Sequence, residues 1–70
     1  MLEIGDRVRA ARRGLGLRQD ELALAAGVST RLVHAIESGK ATVRIDGLER
    51  VLATLGLTLR AEPRQRAMER

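Results

Sequence analysis

The chain is expected to fold as a small all-α domain of four helices followed by a short β-strand. Three observations predict this. Apolar residues recur at helical spacing in four separate stretches. Each stretch is closed by glycine, at Gly14 and Gly16, Gly27, Gly39 and Gly56. After the last of these the pattern changes to period two in "LTLRAE".

The first helix is expected from about Ile4 to Leu15. Ile4, Val8, Ala11 and Leu15 fall on one face, with Arg7, Arg9, Arg12 and Arg13 largely off it. The second is "RQDELALAA", with Leu22, Ala23 and Ala26 as its apolar stripe. Asp20 and Glu21 stand in its first turn, where carboxylates complement the helix dipole. With Arg18 as cap, Glu21 supplies half of a capping box; arginine has no acceptor for the other half. Gly27 fits a left-handed helix end, Val28 is placed to pack between two helices, and Ser29 is a strong N-cap. The third helix is "TRLVHAIE", with Leu32, Val33 and Ile36 inward. "KATVR" connects it to a fourth, about Ile45 to Leu55, whose stripe is Ile45, Leu48, Val51, Leu52 and Leu55. Gly47 near its start costs about 1 kcal/mol relative to Ala, which blurs that boundary.

In residues 57–62, Leu57, Leu59 and Ala61 alternate with Thr58, Arg60 and Glu62, and Pro63 stops the pattern. A single strand cannot satisfy its own backbone, and no second convincing strand is present. The simplest partner is the same strand of a second molecule, so Leu57, Thr58, Leu59, Arg60 and Ala61 are the expected dimerisation residues. The alternative is irregular chain packed on the core. The organisation is therefore a helical domain at 1–56, a dimerisation strand at 57–62 and a basic tail at 63–70, mobile or a frayed helix.

Composition narrows the function. Seventy residues make one small domain, which buries only about 60% of the surface its unfolded chain exposes. Association is the remaining source of burial. With no cysteine and one histidine, disulfides, thiolate metal sites and multi-histidine cages are excluded; no metal or cofactor is expected. The absence of aromatic residues disfavours stacking on single-stranded nucleic acid. The net charge is +4, and twelve of the 13 basic residues are arginine. That balance suits phosphate or an acidic partner, with a merely soluble basic surface as the plainer reading. No apolar run approaches the roughly 20 residues of a membrane span, and "MLEIGDRVRA" holds no signal-peptide segment. A cytoplasmic protein is expected. With no second histidine, no phosphate-binding glycine motif and little volume for a deep pocket, an enzyme is not.

Two short helices joined through a tight glycine turn form a helix-turn-helix, which sets its second helix in the major groove of double-stranded DNA. On the exposed N-terminal face of that helix lie Thr30, Arg31 and His34. Arg31 can bind guanine O6 and N7 bidentately, against the alternative of a solvated or phosphate-paired arginine. Thr30 can meet a thymine methyl or a phosphate, and His34 a base or a phosphate. Arg18, Ser29, Ser38 and Lys40 flank the groove and suit phosphate contacts. Arg44 can reach the adjacent backbone or minor groove.

"GLRQDELALAAGVSTRLVHAIESGK" resembles the Cro/Xre-type, lambda-repressor-like helix-turn-helix family. The resemblance runs from Val8 to Leu57 and is carried by Gly16-Leu17, Gln19, Leu22-Ala23, Gly27-Val28-Ser29, Val33, Glu37 and Gly39. It implies a phosphate contact for Gln19 and a structural brace between Arg12 and Glu37. "ESGKATVRIDGLERVLATLGLTL" is similar to the HipB-like antitoxins, small bacterial repressors paired with HipA-like kinase toxins, in which a C-terminal strand joins a dimer's two-stranded sheet. The sequence departs from the family at Arg18, which replaces the usual capping Thr or Ser, and at His34 and Ala35. The resemblance implies a homodimeric repressor of a near-palindromic operator, nucleoid-associated when bound, that represses its own operon and neutralises a kinase toxin. A free-standing or phage-type repressor is the alternative; a protein-interaction module that has lost DNA binding is a third.

Overall fold

The computed structural model describes residues 2–61. Four helices follow one another: α1 (Leu2–Gly14), α2 (Gln19–Ala26), α3 (Thr30–Glu37) and α4 (Ile45–Thr54). Val8, Leu22, Ala23, Val33, Ile36, Leu48, Val51 and Leu52 form one aliphatic core, with at least one residue from each helix. α1 and α2 both pack on α3, and α2 also packs on α4. With α4 touching it more lightly, the third helix is held by all three others while its remaining face is left outward.

Two apolar positions depart from the sequence expectation. Leu15 is 61% exposed, because α1 ends at Gly14 and Leu15 already lies in the turn. The inward face of α1 instead continues from Val8 to Arg12, one helical turn on, and that arginine is buried. So Arg12 lies on the packed face, not off it. Ile45 is 62% exposed: as the first residue of α4 it stands a turn ahead of Leu48, where the buried stripe begins.

The junction of α2 and α3 is built by backbone chemistry. Gly27 adopts φ 72°, a conformation that costs an L side chain about 1–2 kcal/mol. There its N–H donates to the Leu24 carbonyl (3.3 Å) and the N–H of Val28 to that of Ala23 (3.0 Å). These two bonds satisfy carbonyls that the end of α2 would leave orphaned. Val28 packs against the core, and the Ser29 hydroxyl accepts the Leu32 N–H at 3.1 Å to start α3. At the start of α2 the Arg18 N–H donates to the Glu21 carboxylate at 2.8 Å, while arginine offers no acceptor in return. Gly47 lies inside α4 next to Leu32: a Cβ there would meet Leu32 Cδ2 at 2.5 Å, which a turn of that side chain can relieve.

Residues 57–61 have no regular secondary structure, and among the described residues no strand forms. Leu57 packs against the core. A strand paired between two copies forms no ladder inside one chain, so the expected strand at 57–62 belongs with the dimer proposal below. Its last residue, Glu62, and the basic tail at 63–70 lie outside the described residues.

Candidate nucleic-acid interface

α3 is eight residues long and has a buried and an exposed face, with Leu32 and Ala35 half-buried between them. Val33, Ile36 and Glu37 are buried; Thr30, Arg31 and His34 are exposed. Because Ser29 caps its first turn, the N-terminus of α3 is ordered and its exposed end carries the positive pole of the helix dipole. Arg31 takes part in no ion pair among the described residues. Its guanidinium is thus available to an external acceptor. Beside it an open depression of about 260 Å³ is lined by Ser29, Arg31, Lys40, Thr42 and Arg44 together with the apolar Leu32, Ala35 and Val43. Its lining thus combines three cations and two hydroxyls with three apolar side chains. The arrangement suits an extended polyanion with a groove.

The residues assigned to phosphate differ in how free they are. Ser29 accepts a hydrogen bond, so its own hydroxyl proton remains to donate. The Ser38 hydroxyl donates back to its helix, to the His34 carbonyl at 2.9 Å and the Ala35 carbonyl at 3.2 Å, and must turn to reach a phosphate. Arg18 pairs with Asp20 at 3.1 Å and Glu21 at 3.6 Å, and Arg44 with Asp46 at 3.4 Å. All of these are exposed pairs that a phosphate can replace at little cost. Lys40 is exposed on the loop after α3.

Behind the outward face lies a charged cluster. Glu37 ends α3 and is 1% exposed. Arg12 Nε donates to its Oε2 at 2.6 Å and Arg12 Nη2 to its Oε1 at 2.9 Å, the two-pronged geometry in which arginine and carboxylate pair most strongly. Arg12 Nη1 also holds the Leu17 carbonyl at 2.8 Å. Gln19 Nε2 donates to the same carboxylate at 3.1 Å, so the residue assigned to phosphate is also anchored to α3. Arg9 completes the set, through Nε to Glu37 Oε1 at 3.4 Å and Nη2 to the Glu37 carbonyl at 3.0 Å. Burial pushes the Glu37 carboxyl up, but the bonds from Arg12, Gln19 and Arg9 and the Arg12 charge outweigh it and hold it below its ordinary range. The bond to Glu37 raises Arg12 further, against the opposing effect of burial.

Two members of this neighbourhood escaped sequence reasoning. The helical period sets Arg9 largely off the apolar face of α1 and gives Gly5 no part. A Cβ on Gly5 would collide with the Ile36 carbonyl and stand 2.9 Å from that of Glu37. The available signal was their spacing: Gly5, Arg9 and Arg12 recur at steps of four and three, on one face of α1. Arg50 was also passed over. It lines a second depression of about 410 Å³ with Val28, Ser29 and Arg44.

A helix-turn-helix family model matches residues 8–61, and the chain belongs to that family. An uncharacterized HTH-type transcriptional regulator of Sinorhizobium fredii, y4mF, is 46% identical over 57 residues, which span 81% of this chain and 75% of the relative. Family and relative support DNA-binding transcription regulation as the general function. Among the described residues no helix is long and apolar enough to cross a membrane.

Proposed function

We propose that this protein is a homodimeric, sequence-specific transcriptional repressor that reads double-stranded DNA with α3. The observation that carries the reading is the exposed Thr30, Arg31 and His34 face beside a basic depression, on a helix whose opposite face is buried. Phosphate contacts come from Ser29, Lys40, Arg18, Gln19 and Arg44, with Ser38 after rotation. Arg31 reads guanine, the commonest specific contact of arginine in a major groove. Two copies joined through residues 57–62 set their recognition helices roughly 34 Å apart, one turn of DNA, on a near-palindromic site.

The test is a titration against the DNA upstream of its own gene and against a scrambled duplex, at several salt concentrations. Binding should fall steeply with salt on both and prefer the upstream duplex. Equal affinity for the two sinks the repressor reading.

Within this function, the antitoxin role with a HipA-like kinase toxin as second partner rests on the resemblance of residues 37–59. It requires a kinase reading frame beside the gene and co-purification of the two products. A free-standing regulator is the second reading, consistent with a relative named as an HTH-type transcriptional regulator.

A further inference from the structure

α1 lies on the side of α3 that faces away from the proposed groove, yet three of its residues converge on the last turn of that helix. Gly5 brings the two backbones together: only a residue without Cβ allows the Ile36 and Glu37 carbonyls so close. Arg9 then bridges two acceptors at once, the Glu37 carboxylate and the Glu37 main-chain carbonyl. That carbonyl lies at the negative pole of α3, where a cation is favoured and an acceptor lacks a partner within the helix. Arg12 fixes the carboxylate from the other side. We propose that Gly5 and Arg9 are positioning residues for base reading: they clamp the C-terminal turn of α3 and so set the angle at which Thr30, Arg31 and His34 enter the groove. The inference rests on the DNA-binding reading above and extends it to residues that touch no DNA.

The physical argument is one of leverage. α3 spans about 12 Å at 1.5 Å per residue, so a small tilt at its last turn displaces the side chains at its first. Hydrogen bonds to bases weaken steeply with misalignment, whereas contacts to a uniformly charged backbone tolerate it. Loosening the clamp therefore lowers discrimination more than affinity. Arg9 is also 40% exposed in its side chain, so a direct phosphate contact is the competing role, and the two separate by experiment.

Arg9→Met keeps the aliphatic stem and removes the bridge; Arg9→Lys keeps the charge but replaces the fork of two separate nitrogens with one compact ammonium. Both are compared with wild type for preference of the upstream over the scrambled duplex, for salt slope, and for amide exchange at Ser38, Gly39 and Lys40 without DNA. The clamp predicts a threefold or greater loss of preference in Arg9→Met, an unchanged salt slope, faster exchange at those amides, and only partial recovery in Arg9→Lys. A salt slope smaller by about one, equal weakening on both duplexes, unchanged exchange and full recovery in Arg9→Lys make Arg9 a phosphate ligand and overturn the clamp. No change in any readout overturns it too. Should wild type show no preference, the repressor reading falls while the exchange measurement still decides the clamp. Gly5→Ala should reproduce the exchange and preference changes of Arg9→Met; if it does not fold, the arginine variants decide.

Discussion

At Glu37 a single carboxylate joins three parts of the molecule: Arg9 and Arg12 of α1, Gln19 of α2, and its own helix α3. Removing one member of a buried pair leaves the others charged and unpaired, which costs about 3–5 kcal/mol. Glu37→Gln should therefore destabilise the fold by about 3 kcal/mol, read from urea unfolding, while an exposed charge such as Glu49 should be replaceable with almost no effect. Acid acts on the same group. Its folded carboxyl titrates below the ordinary glutamate range, so the unfolded chain takes up the proton first as pH falls. Stability from this cluster is complete near neutrality and declines as pH drops below about 5, through the ordinary value of about 4.3 toward the lower folded one. Unfolding midpoints between neutral and acid pH should show that slope, and Glu37→Gln should flatten it. Arg31→Ala is a different kind of change: it leaves stability within about 0.5 kcal/mol and should reduce discrimination at one base position by about 1–3 kcal/mol, measured with single-substitution duplexes. Unaltered discrimination would remove Arg31 from the readers.

On the scale of elements, the α2–α3 corner is a local construction. Nothing lies within 4 Å of a Cβ built on Gly27, so Gly27→Ala tests backbone conformation alone. It should cost about 1 kcal/mol or slightly more, lowering Tm by about 4–8 °C. The N-cap of α2 is the opposite case, because Arg18 occupies a cap it cannot fill. Arg18→Ser completes the reciprocal bonds with Glu21 and should raise Tm by about 4 °C. If Arg18 also binds phosphate, the same variant loses DNA affinity and shows a shallower salt slope. A stabilised variant with unaltered DNA binding would confine Arg18 to the surface.

For the whole molecule, the question is what completes a domain this small. Leu59 is 37% exposed, and with Leu57 and Ile4 it lines a shallow depression against α4. In the dimer proposed here a second copy covers this edge. Deleting residues 57–70 should shift the protein from dimer to monomer in sedimentation velocity. DNA affinity should then fall steeply, since two linked half-sites exceed one by far more than a factor of two. An intact dimer after the deletion would move the interface elsewhere.

Helix content and the outward face of α3 were legible in the sequence, because both depend on interactions within four residues. The 3.6-residue period marks which positions turn inward, and glycine or serine at helix ends satisfies the orphaned backbone groups. For that reason Thr30–Glu37 could be read residue for residue, and so could the turn at Gly27. Leu15 and Ile45 were misread because periodicity gives direction around a helix but not whether a neighbour covers that end of it. The brace from Arg12 to Glu37 was accessible only through family resemblance, and the spacing of Gly5, Arg9 and Arg12 places them on one face of α1 without showing what that face meets. The arginine contacts join residues 25 and 28 positions apart, and the path of the chain between them decides whether they meet. Sequence alone thus determined the helices, the corner and which residues of α3 face outward. Tertiary packing decided how firmly α3 is held behind that face, because a buried carboxylate acquires its partners only when separate helices close around it.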